Sequence, residues 1–199
     1  YWRLTSLDTF DGRIWSSNGS YRPVKRRLPG GVSTEAPTDK VRQEFRILAL
    51  STIWLPAAYE PERIEGIDGA SYEADSGSLI SKSDTSDGLT YTVESELPRP
   101  TRDQLETAAN RRLRIDLQDR YLALPPIDRD VLALAQSIVA GKAPPSERAR
   151  ALQDHFRSGQ FKYNLAARPG HDARALRNFL FRTREGYCEQ FSGAYAVMA

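Results

Sequence analysis

Cysteine, methionine and histidine are scarce in this sequence, whose 199 residues include one cysteine, one methionine and two histidines. The single thiol, Cys188, excludes an internal disulfide framework and a cluster of thiolate metal ligands, and we expect neither a metal nor a cofactor. No run approaches the ~18 apolar residues that a transmembrane helix requires. A formal net charge of +2 is too close to balance to favour a nucleic acid as the partner.

The overall composition, with 40% hydrophobic and 27% charged residues, is typical of a globular protein with a buried core. The sequence begins at Tyr1 rather than at a methionine, and it stops at Ala199 within a helix-forming run. We therefore expect it to be a piece of a longer protein.

The first hundred residues have the period-two pattern of β-strands. In Val41 to Leu50, alternate apolar residues predict one buried face, formed by Phe45, Ile47 and Ala49. A second strand is predicted where Leu89, Tyr91 and Val93 alternate with polar residues. The turn signal Asp87-Gly88 suggests that Ser78 to Lys82 and Leu89 to Glu96 form a hairpin.

After Pro100 the apolar period changes to that of α-helices. Two stripes have helical spacing, Val131, Leu134, Ala135 and Ile138 before Gly141, and Ala149, Leu152 and Phe156 before Gly159. Phe161 to Tyr163 suits a short strand, and Asp172 suits the N-cap of a further helix. The sequence therefore predicts an α+β fold, with a β-rich domain over residues 1–100 and a helical part over residues 101–199.

Seven aromatic residues of the first sixty have two interpretations. They could line a groove for an acceptor substrate, or they could fill the core of the β-rich layer, which we favour. These residues are Tyr1, Trp2, Phe10, Trp15, Tyr21, Trp54 and Tyr59.

Cys188 lies at the predicted start of the last helix. Gly186 ends the preceding segment, and an apolar repeat of helical spacing begins at Phe191. The first N–H groups of a helix carry partial positive charge and stabilise a thiolate, although Glu189 opposes this weakly. From spacing alone, both a nucleophile and a packed, unreactive thiol remain open.

The segment Gly186-Tyr187-Cys188-Glu189-Gln190-Phe191-Ser192-Gly193-Ala194 resembles the cysteine motif of transglutaminase-like proteins. The resemblance extends to residues 161–181, and residues 1–15 are similar to the point where bacterial membrane-anchored members of the TgpA type enter their soluble domain. It implies that Cys188 is the catalytic nucleophile. It also implies that the helical part is the N-terminal portion of a transglutaminase-like core whose remaining sheet lies beyond this chain.

The chemistry implied by the resemblance is attack of the thiolate on a carboxamide of a protein or peptide, such as a glutamine side chain. A thioester forms, and an amine or water resolves it. The family's histidine and aspartate follow the cysteine helix, and residues 189–199 contain neither. We expect His155 and His171 to be surface or capping residues instead.

The sequence leaves two functions open. The chain is either part of an extracytoplasmic thiol transferase or hydrolase whose parent is anchored by membrane helices, or a non-catalytic extracytoplasmic interaction module in which Cys188 is a packing residue. We also expect the apolar face of Phe191 to Met198 to be exposed in this piece, which would favour self-association.

Overall fold

A computed structural model describes residues 2–29, 36–83, 85–108, 115–170 and 172–199. Strands dominate its first half and helices its second half, so the predicted α+β fold with a β-rich N-terminal part is confirmed. Within these residues, no helix combines the length and the apolar character needed to cross a bilayer.

The secondary structure is numbered here in chain order. The strands are β1 (Thr9–Phe10), β2 (Trp15–Ser16), β3 (Arg22–Val24), β4 (Thr38–Arg46), β5 (Trp54–Leu55), β6 (Pro61–Glu65), β7 (Ala70–Glu73), β8 (Ser78–Ser81), β9 (Thr90–Pro98), β10 (Lys162–Tyr163) and β11 (Glu185–Gly186). The α-helices are α1 (Arg102–Ala108), α2 (Ile115–Tyr121), α3 (Arg129–Val139), α4 (Pro145–Arg157), α5 (Ala173–Asn178) and α6 (Cys188–Met198).

The contacts divide the chain into two compact units. The first unit comprises Tyr1–Leu7 and Ser17–Thr101, and the second comprises Asp8–Ser16 and Arg102–Ala199. The second unit therefore includes Asp8–Ser16, which lies within residues 1–100 that we assigned to the β-rich domain.

The first unit is built from two antiparallel sheets. Their strand orders are β3-β7-β8-β5 and β4-β9-β6. Phe45 on β4 lies opposite Tyr91 on β9, and the two rings stack with their centroids 5.2 Å apart. The core contains both residues together with Leu28, Ile47, Leu55, Ala57, Ile64, Ala70, Tyr72, Leu79 and Val93.

Two details of the predicted strands are wrong. The segments Ser78 to Lys82 and Leu89 to Glu96 do not form a hairpin, because β8 pairs with β7 and β5 while β9 pairs with β4 and β6. Ala49 is exposed, because β4 ends at Arg46, and the face that it was expected to share buries Phe45 and Ile47 alone. The Asp87-Gly88 turn does form, with Gly88 at φ +77°.

The aromatic residues of the N-terminal segment are not all buried in the β-rich layer. Trp2 is 71% exposed, although its ring contacts that of Phe45 at 5.5 Å. Phe10 and Trp15 lie on the β1–β2 hairpin, stack at 4.8 Å, and pack with the core of the second unit. Tyr1 lies outside the described residues.

The second unit has a core formed mainly by helices. The predicted stripes of α3 and α4 face inward, and Gly141 and Gly159 follow the two helices with φ +74° and +86°. The buried core residues are Phe10, Val131, Ala135, Leu152, Phe156, Leu176, Phe179, Leu180, Ala194, Val197 and Met198.

A short parallel pair of strands, β10 and β11, leads into the last helix. Between the two strands, Asp172 caps α5 by accepting a hydrogen bond from the Ala175 N–H at 2.7 Å, as predicted. A π-helical segment, Phe179–Thr183, continues α5, and Arg184 ends it in a left-handed conformation with φ +50°. This turn directs β11 back alongside β10.

Candidate functional site

Cys188 is the first residue of α6, and its side chain is exposed. The prediction that it lies in the first turn of the last helix is confirmed. The N–H groups of a first helical turn have no intrahelical acceptors, so they present partial positive charge to a group at this position. An exposed thiol at such a position can be reached by a substrate from solvent.

The backbone that leads to Cys188 is held by Gly186. The Gly186 carbonyl accepts a hydrogen bond from the Asn164 N–H at 2.8 Å, which continues the β10–β11 ladder. A Cβ added at Gly186 would lie 2.9 Å from the Gln190 Cβ and 3.0 Å from the Phe179 ring. The strand therefore packs against α6 and the core at a distance that only glycine allows.

Gln190 is a buried polar residue directly behind the thiol turn, which is formed by Tyr187, Cys188 and Glu189 at the start of α6. Its Oε1 accepts a hydrogen bond from the Tyr187 N–H at 3.0 Å, and its Nε2 donates to the Gly170 carbonyl at 3.3 Å. The side chain is 8% exposed. The amide thus joins the residue before Cys188 to the turn at Pro169-Gly170.

The residues on either side of Cys188 interact with each other. The Tyr187 hydroxyl donates a hydrogen bond to the Glu189 carboxylate at 2.7 Å. Because the carboxylate holds this proton, the pKa of Tyr187 is raised. Ser192, one turn further along, donates to the Cys188 carbonyl at 2.7 Å.

The inward face of α6 is buried, which corrects our expectation of an exposed apolar face over Phe191 to Met198. Ala194, Val197 and Met198 belong to the core, and Phe191 packs against the rings of Phe156, Phe161 and Phe179. The helix already has partners for this face within its own unit. Self-association stays an untested prediction, without the exposed face that motivated it.

The structure describes one of the two histidines, His155. His155 on α4 is half-buried and contacts the rings of Phe156 and Phe161, so it is not the surface residue that we expected. Burial, assisted by the positive charge of Arg184, lowers the pKa of His155. Among the described residues, no hydrogen bond joins it to Cys188. His171 lies outside the described residues.

A polar groove lies beside the thiol turn. Its walls include Asn164, Arg168, Gly170, Asp172, Glu185 and Gln190. A hydrogen bond from the Asn164 amide at 2.9 Å, together with nearby Lys162, lowers the pKa of Glu185. The groove thus presents charges of both signs, and Gln190 forms part of its wall.

Two of these features could have been found in the sequence, and one could not. Gln190 stands three residues after the N-cap Tyr187, which is the position from which a glutamine side chain reaches back to the N-cap N–H. Gly186 was identified as a chain break, and the structure shows that its role is close packing. The contact between Gln190 and Gly170 joins distant segments and has no local signal.

Comparison with known families matches both parts of the chain. The TgpA N-terminal domain matches residues 1–102, and the transglutaminase-like superfamily matches residues 132–199. The chain belongs to the TgpA-type, transglutaminase-like family. The motif around Cys188 lies within the transglutaminase-like match.

Relatives of the chain include solved structures and a curated protein. Two crystal structures of the periplasmic domain of TgpA from Pseudomonas aeruginosa, one of them bound to ethylmercury, match all of this chain at 25% identity. Their TM-scores are 0.65 for the ethylmercury complex and 0.69 for the other structure. The uncharacterized protein YebA of Bacillus subtilis (strain 168) is 31% identical over 83 residues, or 40% of this chain.

The chain spans less than two thirds of these relatives. It covers 64% and 63% of the two solved domains and 11% of YebA.

Proposed function

We propose that this chain carries the nucleophile of an extracytoplasmic thiol enzyme that acts on carboxamide groups of proteins or peptides. The observation that carries the proposal is the exposed Cys188 at the first residue of α6. Membership of the transglutaminase-like family supports it. The alternative, an interaction module with a packed thiol, is not favoured because the Cys188 side chain does not fill the core.

The proposed reaction has two steps. The Cys188 thiolate attacks the carboxamide carbon, a C–S bond forms, and the C–N bond breaks as the nitrogen takes up a proton and leaves as ammonia or an amine. A second amine, or water, gives up a proton to the base as it attacks the thioester carbon, and the C–S bond breaks to release the thiolate, which gives transamidation or hydrolysis. The Cys188 backbone N–H is suited to stabilise the negative oxygen of each intermediate.

Proton transfer requires a base outside the residues assigned so far. The resemblance implies a histidine and an aspartate that follow the cysteine helix in sequence, and residues 189–199 contain neither. We propose that both groups belong to the part of the solved relatives that this chain does not cover. An extracytoplasmic location is part of the proposal, because both solved relatives are periplasmic domains.

The test measures incorporation of a biotin-labelled alkylamine into a glutamine-rich acceptor protein by the full-length parent protein. Release of ammonia measures hydrolysis in the same samples. We expect both activities to fall to background in Cys188→Ala and Cys188→Ser. Ala196→Ser is the matched control, because it adds the same hydroxyl group at another exposed position of α6 and should leave both activities unchanged. Activity retained in Cys188→Ala would overturn the proposal.

Accessibility of the thiol can be tested in the 199-residue chain. Organomercurials bind soft thiolate ligands, so ethylmercury and iodoacetamide should each modify the folded protein at Cys188 without denaturant. The adduct should be absent from Cys188→Ala. Modification that requires denaturant would show that the thiol is not exposed and would remove the observation on which the proposal rests.

A further inference from the structure

The environment of Gln190 contrasts with that of an ordinary helix residue. Three positions after the N-cap, a glutamine commonly caps the helix locally, and Gln190 does so through Oε1, but its Nε2 also reaches a distant segment. Here the side chain is 8% exposed and both ends of its amide are engaged. Burial of an amide costs free energy unless its donor and its acceptor are hydrogen-bonded, so loss of either hydrogen bond of Gln190 should destabilise this site.

The two partners of the amide lie in segments that are distant in sequence. Oε1 accepts from the N–H of Tyr187, the residue immediately before the thiol. Nε2 donates to the carbonyl of Gly170, in the loop that precedes α5. Behind the amide, the Gln190 Cβ packs against Gly186, where there is no room for another carbon atom. Movement of the thiol turn would therefore break a buried hydrogen bond.

We propose that Gln190 is a positioning residue for Cys188, whose side-chain amide ties the backbone before the thiol to the turn at Gly170. The inference rests on the proposed function and adds to it the residue that holds the nucleophile in place. Gln190 does not touch the reacting atoms in this assignment. It fixes the direction in which the Cys188 side chain points from the start of α6, because Tyr187 is covalently joined to Cys188.

Positioning of this kind affects the rate constant of the chemical step more than substrate binding. Displacement of a reacting group by about 1 Å can cost about 100-fold in rate. Loss of one hydrogen bond that holds a turn permits a smaller average displacement, and we expect kcat to fall by about tenfold or more. KM should stay within about twofold, because substrate contacts are unchanged.

The first experiment measures amide hydrogen exchange in the 199-residue chain by NMR. Gln190→Met keeps the length of the side chain and removes both hydrogen bonds. We expect the Tyr187 amide proton to exchange about fivefold to tenfold faster than in the unsubstituted chain. The Val197 amide proton, in the last turn of α6, should exchange at an unchanged rate. Gln153→Met is the matched control, because Gln153 is an exposed glutamine on α4 of the same unit.

The second experiment measures kcat and KM for amine incorporation in the full-length parent protein with the same two substitutions. A fall in kcat at constant KM in Gln190→Met, with no change in Gln153→Met, supports the inference. Unchanged exchange at Tyr187 would overturn it, as would equal acceleration at Tyr187 and Val197, which indicates general destabilisation. If Cys188→Ala retains activity, the proposed function fails. If Cys188→Ala is inactive and the Gln190→Met exchange pattern is normal, the positioning role fails and the function stands.

Discussion

Replacement of Gly186 by alanine tests whether the close packing behind Cys188 is required. The added Cβ would lie 2.9 Å from the Gln190 Cβ, and 3.0 and 3.2 Å from two carbon atoms of the Phe179 ring. The ring cannot turn away easily, because Phe179 is 2% exposed and packs against Phe161 and Phe191 at centroid distances of 5.2 and 5.1 Å. The strand, the ring or the start of α6 must therefore move.

The expected cost follows from two opposing effects. Overpacking of a core by one carbon atom destabilises proteins by about 1 to 3 kcal/mol. Replacement of glycine by alanine restricts the unfolded chain and returns about 0.4 to 1 kcal/mol. The midpoints of the two ranges differ by about 1.3 kcal/mol, and we expect Gly186→Ala to lower the free energy of unfolding of the second unit by about that amount.

Denaturant unfolding followed by circular dichroism at the helical band measures this change selectively, because the described α-helices all lie in the second unit. Gly193→Ala is the matched control. Its Cβ would meet a single side-chain atom, the Trp15 Nε1, at 3.3 Å, and alanine favours the helix by about 1 kcal/mol. A stability of Gly186→Ala within about 0.5 kcal/mol of the original chain, or an equal loss in both variants, would refute the packing argument.

Two further predictions concern charge. Burial raises the pKa of Tyr59 to about 12, and it also raises those of Tyr72 and Tyr91. These hydroxyl groups lose protons more readily in the unfolded chain, so the free energy of unfolding of the β-rich unit should be highest below about pH 10 and fall as the pH rises toward 12. The fall should be smaller in Tyr59→Phe. A free energy of unfolding that does not change between about pH 9 and 11 in denaturant unfolding would contradict this prediction. The Arg120 Nη2 atom lies 2.6 Å from the buried carboxylate of Asp8. Arg120→Met should therefore lower the free energy of unfolding of the second unit by about 3 kcal/mol, and adding Asp8→Asn should restore part of that loss. If the double variant is no more stable than Arg120→Met, the ion pair does not have the expected importance.

The sequence predicted the elements better than their pairing. The start of α6 at Cys188 was predictable because Gly186 and the repeat from Phe191 are local signals. The partner of β9 was not, since a turn at Asp87-Gly88 suggests a neighbour in sequence whereas the ladder joins β4, about fifty residues earlier in the chain. Strand existence depends on local alternation, while strand pairing depends on contacts between distant segments.

Burial was predicted correctly where the apolar period was long, as in α3 and α4. It was predicted wrongly for α6, where Phe191 to Met198 find partners among the aromatic rings of α4 and of the segment after α5. His155 was misjudged because Phe161, which follows the end of α4, folds back so that its ring contacts the imidazole. The amide of Gln190 shows most clearly what a local sequence pattern does not predict, since one of its two partners, Gly170, lies twenty residues away.

The β1–β2 hairpin has a consequence for how the second unit is made in the cell. Phe10 and Trp15 are synthesised before Ala194 and Val197, which share their core and lie about 180 residues later in the chain. Until α6 is synthesised, the hairpin lacks part of the core against which it packs, so the side chains of Phe10 and Trp15 stay partly exposed. Completion of the helical core therefore depends on a contact of very large sequence separation, which makes it a late event in folding and leaves the nascent chain open to premature association until α6 is formed.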